Sequence, residues 1–134
     1  MPATGTATYT GNITGLAINT STFGTIQSGA VSLSVDFASK TVTGSVTNIV
    51  TEGLDDTAPT GTMSNINLTG SIAGTSFTLT ATGAAAAAGN TVNIAGSSGT
   101  FGGTFFGPNA AEIASSSTMT ASGITVLAAF GARQ

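Results

Sequence analysis

The sequence predicts an all-β protein, in which residues 1–134 form a single eight-stranded antiparallel up-and-down β-barrel with short loops. Apolar and polar residues alternate along most of the chain, with the period of two that is typical of strands. The chain has only two basic and five acidic residues. Thr, Ser and Asn must therefore supply its polar surface, and these residues suit strand faces and turns better than helix interiors. Glycines recur on the apolar face, where they allow a small barrel to curve strongly.

The first predicted strands lie in the N-terminal third of the chain. Residues 6–13 alternate, and Tyr9 lies on their apolar face. Residues 31–37 and 41–47 form the clearest hairpin, because Ala38-Ser39-Lys40 is a short polar turn between two alternating segments. Two of the glycines on the apolar face, Gly11 and Gly44, lie in these segments, and Gly70 and Gly103 lie further along the chain.

The same pattern continues to the end of the chain. Residues 66–72 and 77–82 alternate on either side of a turn at Ala73-Gly74-Thr75. A last strand over 124–130 follows a turn at Ser122-Gly123. Hairpin spacing throughout predicts that each strand pairs with its neighbour in sequence, as in an up-and-down barrel.

Two segments interrupt the alternation and are predicted to be loops at the mouth of the barrel. Glu52–Gly61 carries three of the five acidic residues and a proline. Ala84–Ala88 is a run of alanines between two glycines, which is too short for a stable helix and allows at most one helical turn. Since loops commonly carry binding residues, we expect Glu52–Gly61 and Ala84–Asn90 to hold a partner. The candidate contacts are the acidic side chains Glu52, Asp55 and Asp56.

Residues 99–112 combine a strand, a stop and a turn. Phe101 and Phe105 share one face of the predicted strand. Gly107-Pro108 must end that strand, because proline cannot continue the ladder of hydrogen bonds. Proline also suits the first position of a helical turn, which is predicted over Asn109–Glu112.

We interpret this segment as structural rather than as a binding site. Phe101 and Phe105 are expected in the core, with Gly103 giving them room. Glu112 is expected to tie the turn to the barrel mouth through hydrogen bonds. Phe106 lies on the opposite face, so it is the candidate exposed aromatic contact.

Residues 103–112 read Gly-Thr-Phe-Phe-Gly-Pro-Asn-Ala-Ala-Glu. This resembles the signature of the C-terminal barrel of transferrin-binding protein B, which also occurs in related surface lipoproteins such as the factor H-binding type. Ala7–Gly11, Asp36–Gly44 and Ala129–Arg133 resemble its first strand, one of its hairpins and its final strand. The resemblance implies an eight-stranded antiparallel barrel on a Gram-negative cell surface, often lipid-anchored and binding host proteins. The signature residues here are Gly103, Phe105, Phe106, Gly107, Pro108, Ala110 and Glu112.

The composition argues against several classes of function. The chain has no His and no Cys, so a hydrolytic triad lacks its base and transition metals lack their usual ligands. Only Lys40 and Arg133 are basic, which argues against nucleic acid. Asp55 and Asp56, with Glu52, do not match a known calcium-binding spacing, and a solvated acidic loop is the favoured interpretation. We therefore expect no enzyme, no cofactor and no metal site.

The expected function is a non-catalytic bacterial binding module that holds a protein or small-molecule partner through its mouth loops. The alternative is a structural building block of a surface layer, fibre or matrix, which self-associates through faces rich in Thr and poor in charge. The expected location is extracellular or at the cell surface, associated with the outer membrane. Met1–Gly5 does not have the pattern of a signal peptide, and any membrane contact is expected only through a lipid anchor outside this chain.

Overall fold

The computed structural model describes residues 1–19, 23–53, 61–121 and 123–134. Within these ranges no helix is of the length and apolarity needed to span a membrane. The structure contains nine strands and one 3₁₀ turn at Pro108–Ala110. The strands are β1 (Thr6–Asn19), β2 (Phe23–Asp36), β3 (Thr41–Gly53), β4 (Gly61–Met63), β5 (Ile66–Ala73), β6 (Ser76–Gly83), β7 (Ser98–Phe106), β8 (Glu112–Ala121) and β9 (Ile124–Arg133).

Eight of the nine strands form a closed antiparallel barrel, which confirms the predicted fold. Their order around the barrel is β2, β1, β9, β8, β7, β6, β5 and β3, and pairing of β2 with β3 closes the ring. Each barrel strand therefore pairs with the barrel strands before and after it in the chain, and β9 returns to β1. The short strand β4 is additional, and it pairs with β3 beyond the first residue of β5.

The hairpin between β2 and β3 shows how local chemistry fixes the turns. The carboxylate of Asp36 accepts hydrogen bonds from the backbone N–H groups of Ala38 at 2.9 Å and Ser39 at 3.2 Å. These bonds, with Ser39 contributing most, lower the pKa of Asp36 below its usual value. Lys40 then takes a φ of 57° and turns the chain into β3. The predicted hairpin is confirmed.

The strands β1 and β3 extend well beyond the segments predicted from alternation. A register shift separates Asn12 and Gly15 in the pairing of β1 with β2, and Asn48 in β3 has a φ of 52°. In β3 the irregularity inverts the pattern of inward and outward side chains. At the other register shift the extra residue lies in β2, and β1 keeps its inward and outward positions up to Ala17, but its outward residue Leu16 is apolar. The alternation therefore breaks in the sequence where the strand continues in space.

The bounds of the predicted loop at Glu52–Gly61 are wrong at both ends, because strands continue into it. Glu52 is an exposed residue of β3, which ends at Gly53, and Gly61 begins β4. Asp55 and Asp56 lie outside the described residues.

Side chains fill the interior of the barrel. An eight-stranded barrel is just wide enough for its inward residues to meet across the axis. Phe105 is in contact with three aromatic rings, with centroids 5.9 Å from Tyr9 and Phe37 and 5.2 Å from Phe77. The interior is a hydrophobic core whose largest fully buried members include Tyr9, Phe101, Ile13, Leu33, Ile49 and Leu68.

The inward glycines mark places where neighbouring strands approach too closely for any side chain. A Cβ atom at Gly11 would lie 1.9 Å from the carbonyl oxygen of Gly131, and one at Gly44 would lie 2.1 Å from that of Ser32. Real Cβ atoms essentially never show such contacts. Close backbone approach of this kind is what the glycine pattern predicted.

Candidate functional site

The two ends of the barrel carry different connections. Both chain termini, the hairpin turns at 37–40 and 74–75, and the 3₁₀ turn lie together at one end, which we call the terminal end. The last residues of β1, β3, β6 and β8 lie at the other end, together with residues 84–97 between β6 and β7, and we call this the loop end. A ligand that enters the barrel would have to pass one of these ends, so we describe each in turn.

The terminal end is closed by the 3₁₀ turn and by Tyr9 beneath it. Ala110 is buried, and its carbonyl oxygen accepts a hydrogen bond from the Tyr9 hydroxyl. The side-chain amide of Gln134 donates to the Tyr9 hydroxyl at 3.1 Å and to the Ala110 carbonyl oxygen at 3.1 Å. Burial raises the pKa of Tyr9, and the bond from Gln134 opposes that rise. One tyrosine thus connects the first strand, the turn and the last residue.

The turn begins one residue earlier in the structure than the sequence predicts. The turn covers Pro108–Ala110, and both Asn109 and Ala110 have left-handed backbones, with φ of 55° and 58°. Glu112 is already the first residue of β8, exposed and opposite Phe106. The hydrogen bond that ties the turn to the barrel is donated by Tyr9 and accepted by the Ala110 carbonyl. The sequence predicts this role for the Glu112 side chain instead.

The other signature residues lie at the end of β7 and directly after it. Phe105 is buried, and Phe106 is half-exposed on the outer face. A Cβ atom at Gly103 would lie 2.2 Å from the ring of Phe77, so only glycine leaves room for that ring. Gly107 ends the strand with a φ of 75°, a backbone conformation that other residues adopt only with strain.

The loop end is closed by the connection between β6 and β7. Ile94, in the middle of this connection, is fully buried and belongs to the core. Its backbone N–H donates to the hydroxyl of buried Ser64 at 3.0 Å, and its carbonyl accepts from the hydroxyl of buried Ser97 at 2.6 Å. Each buried polar group next to Ile94 therefore has a partner, as burial requires. We call residues 84–97 the plug segment.

The plug segment is fastened to β4 by a dense set of hydrogen bonds around Thr62. The Thr62 carbonyl accepts from the backbone N–H groups of Thr91 at 2.9 Å and Val92 at 3.0 Å. The Thr62 hydroxyl donates to the Gly89 carbonyl at 3.2 Å and accepts from the side chain of Asn90 at 3.2 Å. A connection held this way is an ordered part of the barrel end.

The rim of the loop end is the exposed portion of the plug segment. Residues 85–89 are exposed, with a turn at Ala88-Gly89 and no helix. Glu52 is exposed in β3, where its carbonyl accepts a bond from the Thr25 hydroxyl at 3.3 Å. Of the three predicted acidic contacts, Glu52 alone lies in the described part of the chain. Among the described residues, no three His, Cys, Asp or Glu side chains gather into a group that could hold a metal ion.

The plug residues Ser64, Ile94 and Ser97 are not predicted from the sequence. The one available signal is the apolar pair Val92 and Ile94 in a stretch otherwise rich in Asn, Gly and Ser. Among the described residues, core side chains fill the interior and both ends are covered, so the surfaces open to a partner are the outer face of the barrel and the rim.

The barrel geometry matches known proteins. The family described as C-lobe and N-lobe beta barrels of Tf-binding protein B matches residues 1–134. Transferrin-binding protein B from Haemophilus parasuis superposes with a TM-score of 0.75 at 23% identity, over 100% of this chain and 27% of that one. The protein from Neisseria meningitidis serogroup B gives a TM-score of 0.72 at 21% identity, over 98% and 25%.

A surface lipoprotein has the same fold, with a TM-score of 0.65 at 18% identity, over 98% of this chain and 62% of its own. No curated protein sequence matches the chain significantly. The chain thus spans about a quarter of the two transferrin-binding proteins, 27% and 25% of their lengths. The matched family is named for a binding protein, which supports the prediction that the chain is no enzyme. Because the family of transferrin-binding protein B barrels matches the chain from its first residue to its last, the chain belongs to that family.

Proposed function

We propose that this chain is a non-catalytic binding module of the bacterial cell surface, which holds a protein partner at its loop end. The observation that carries the proposal is the plug segment, which closes the barrel with Ile94 and presents residues 85–89 to solvent. An ordered surface loses little conformational entropy when a partner docks on it, which favours affinity.

A protein is a better candidate than a small molecule. Small-molecule sites are usually concave and enclose most of the ligand, whereas core side chains fill this barrel. The rim at residues 85–88 consists of four alanines, whose short side chains let another backbone come close. The similar solved structures are named for binding transferrin, which is itself a protein.

The proposed location is the outer-membrane-associated cell surface of a Gram-negative bacterium. Thr6 and Arg133, which bound the barrel strands, both lie at the terminal end. An attachment to further chain or to a lipid anchor on that side directs the loop end away from the membrane. That orientation leaves the rim outermost and accessible to a partner.

The test is capture of a partner on the immobilised protein. We expect whole host serum, and purified transferrin as the first defined probe, to leave a retained protein that mass spectrometry identifies. Ala86→Arg places a long charged side chain on the rim and should weaken retention at least about tenfold, because an unpaired charge at an interface costs more than 1.4 kcal/mol. Its free energy of unfolding should stay within about 0.5 kcal/mol of the wild-type value, since the site is exposed.

Thr78→Arg is the matched control, because Thr78 is an exposed residue of β6 on the outer wall and toward the terminal end. This variant should retain the partner as the unmodified protein does. Retention that survives Ala86→Arg would contradict the placement at the rim. A serum eluate with no retained protein would contradict binding of a host serum protein.

A further inference from the structure

The outer surface of the barrel is not uniform. Four large hydrophobic side chains are exposed in the described residues: Met1, Leu16 on β1, Leu127 on β9 and Phe106 on β7, which β8 separates from β9. Leu16 and Leu127 are direct partners in the register of β1 with β9. We call the outward residues of β7, β8, β9 and β1 the seam face.

The far side of the barrel offers a contrast. The outward positions at the centres of β5 and β6 are polar and uncharged, and they are Asn67, Thr69, Ser71, Thr78, Thr80 and Thr82. Exposed apolar residues scattered singly need no explanation, but a cluster on one side of a small protein marks an interaction surface. The seam face is therefore a candidate interface.

The seam face also carries one pair of opposite charges, at its terminal end. Glu112 is the first residue of β8 and Arg133 the last of β9, both are exposed, and they lie opposite each other in register. Only seven of the 134 residues are charged, two basic and five acidic. An acid and a base side by side on one apolar face can bind a partner that presents the same pair in mirrored order.

Small residues occupy the middle of the same face. Along the pairing of β8 with β9, Ala114 lies opposite Gly131 and Ser116 lies opposite Ala129. The surface is depressed here and beside Leu127, so that another surface can approach the backbone closely. Close approach strengthens both apolar contact and the attraction between charges.

We propose that a second copy of this chain docks on the seam face, with a two-fold axis that runs along the strands between β8 and β9. Such an axis lies in the interface and exchanges β8 with β9, so each outward residue of β8 faces its own register partner in the second copy. Glu112 then meets Arg133 of the second copy, and Arg133 meets Glu112 of the second copy. Both charge pairs form at once, as a self-complementary interface requires.

The same axis also accounts for the apolar and small residues. Ala114 faces Gly131 of the second copy, where both backbones can approach. Leu127 faces Thr118 of the second copy and lies beside the second copy's own Leu127, so the two leucines leave water together. Sheets that pack face to face with nearly aligned strands are a common arrangement. The arrangement of charged, apolar and small residues on the seam face is thus complementary to the same face of a second copy.

The area limits the strength of the association. In a ring of eight strands each strand turns away from its neighbour by about 45°, so β8 and β9 carry the direct contact between two convex barrels. With a strand spacing of about 4.8 Å and a rise of about 3.3 Å per residue, these two strands cover about 300 Å² in each copy. The total of about 600 Å² lies below the range of stable specific interfaces. We therefore expect a weak dimer that forms as concentration rises, as it does for proteins crowded on a cell surface. The inference is independent of the partner proposed for the rim.

The test is sedimentation equilibrium of the full chain from micromolar to millimolar concentration. Glu112→Arg and Arg133→Glu, each alone, should weaken self-association at least about tenfold, because two attractive pairs become two repulsive ones. An equimolar mixture of these two variants should recover a dimer, because every cross pair in the heterodimer is again opposite in charge. An effect within one monomer cannot produce this recovery.

Leu127→Asp and Thr80→Asp form a matched pair on the two sides of the barrel. The first should abolish the dimer and the second should leave it unchanged, while thermal melts show both variants folded. A protein that stays monomeric to millimolar concentration would overturn the inference. A dimer that is indifferent to the charge reversals, or one that mixing fails to restore, would overturn the two-fold arrangement.

Discussion

Replacement of Gly70 by alanine is expected to lower the free energy of unfolding by about 3 kcal/mol or more, which is a large part of the stability of a small domain. A Cβ atom at this position would lie 1.9 Å from the carbonyl oxygen of Thr78 and 2.8 Å from the Cα atom of Leu79. Both atoms belong to the backbone of β6, so no side-chain rotation can relieve the contact. The strands β5 and β6 would have to separate.

Gly102→Ala is the matched control for this effect. Gly102 is also a strand glycine, but it faces outward and a Cβ atom there meets nothing within 4 Å. The same change should be neutral or stabilising by up to about 1 kcal/mol, because alanine restricts the unfolded chain. Chemical denaturation of both variants measures the difference directly. Equal effects at Gly70 and Gly102 would show that conformational entropy, and not the close approach of strands, decides the cost.

Tyr9→Phe is expected to lower the free energy of unfolding by about 1 kcal/mol at neutral pH, because it removes one hydrogen bond to the buried Ala110 carbonyl, which keeps its bond from Gln134. The change keeps the ring contacts with Phe105 and removes the hydroxyl that donates to Ala110 and accepts from Gln134. Denaturation at pH 7 measures the loss. An unchanged midpoint would mean that the terminal end stays closed without this hydroxyl.

The pH dependence of the same pair of proteins gives a second measurement. Burial raises the pKa of Tyr9 above the ordinary value of 10.0, so the folded state holds the proton more tightly than the unfolded state. The stabilisation is complete below pH 10.0 and is lost as pH rises through the raised pKa. Tyr9 is the only tyrosine and the chain has no cysteine. The stability gap between the unmodified protein and Tyr9→Phe should therefore shrink at alkaline pH, and a constant gap would contradict the link.

The sequence predicts the barrel well where alternation runs unbroken into a turn of known chemistry. The hairpin of β5 and β6 is such a case, with its turn at Gly74 and Thr75. The stop at Gly107-Pro108 is another, because both residues act through backbone constraints that do not depend on distant contacts. These features are local, and a local pattern suffices to predict them.

The residues at which strands β1 and β3 end cannot be predicted from the local sequence in this way. The alternation of apolar and polar residues ends at Leu16, an outward apolar residue of β1, and it inverts at Asn48 in β3, although pairing with neighbouring strands continues beyond both residues. Ile94 illustrates a second limit. Its burial depends on Ser64, thirty residues earlier in the chain, which binds its backbone N–H. Nothing in the local sequence of either residue specifies that they meet.

The seam face depends on register in the same manner. Glu112 and Arg133 are far apart in the sequence, and each alone is an ordinary exposed charge. Only the pairing of β8 with β9 places them side by side, and only the closure of the barrel brings Leu16 next to Leu127. A surface of a closed barrel is therefore formed by residues on neighbouring strands. The periodicity of a single strand does not show which strands are neighbours.

The adjacency of β1 and β9 has a consequence for mechanical load. The start of β1 and the end of β9 lie at the same end of the barrel, and their ladder begins at Thr10 and Arg133. Tension applied between the two chain ends pulls this ladder apart from one side, so its hydrogen bonds bear the force one after another. Because the bonds break one after another, the ladder between β1 and β9 unzips at a lower force than shear along the strands would need.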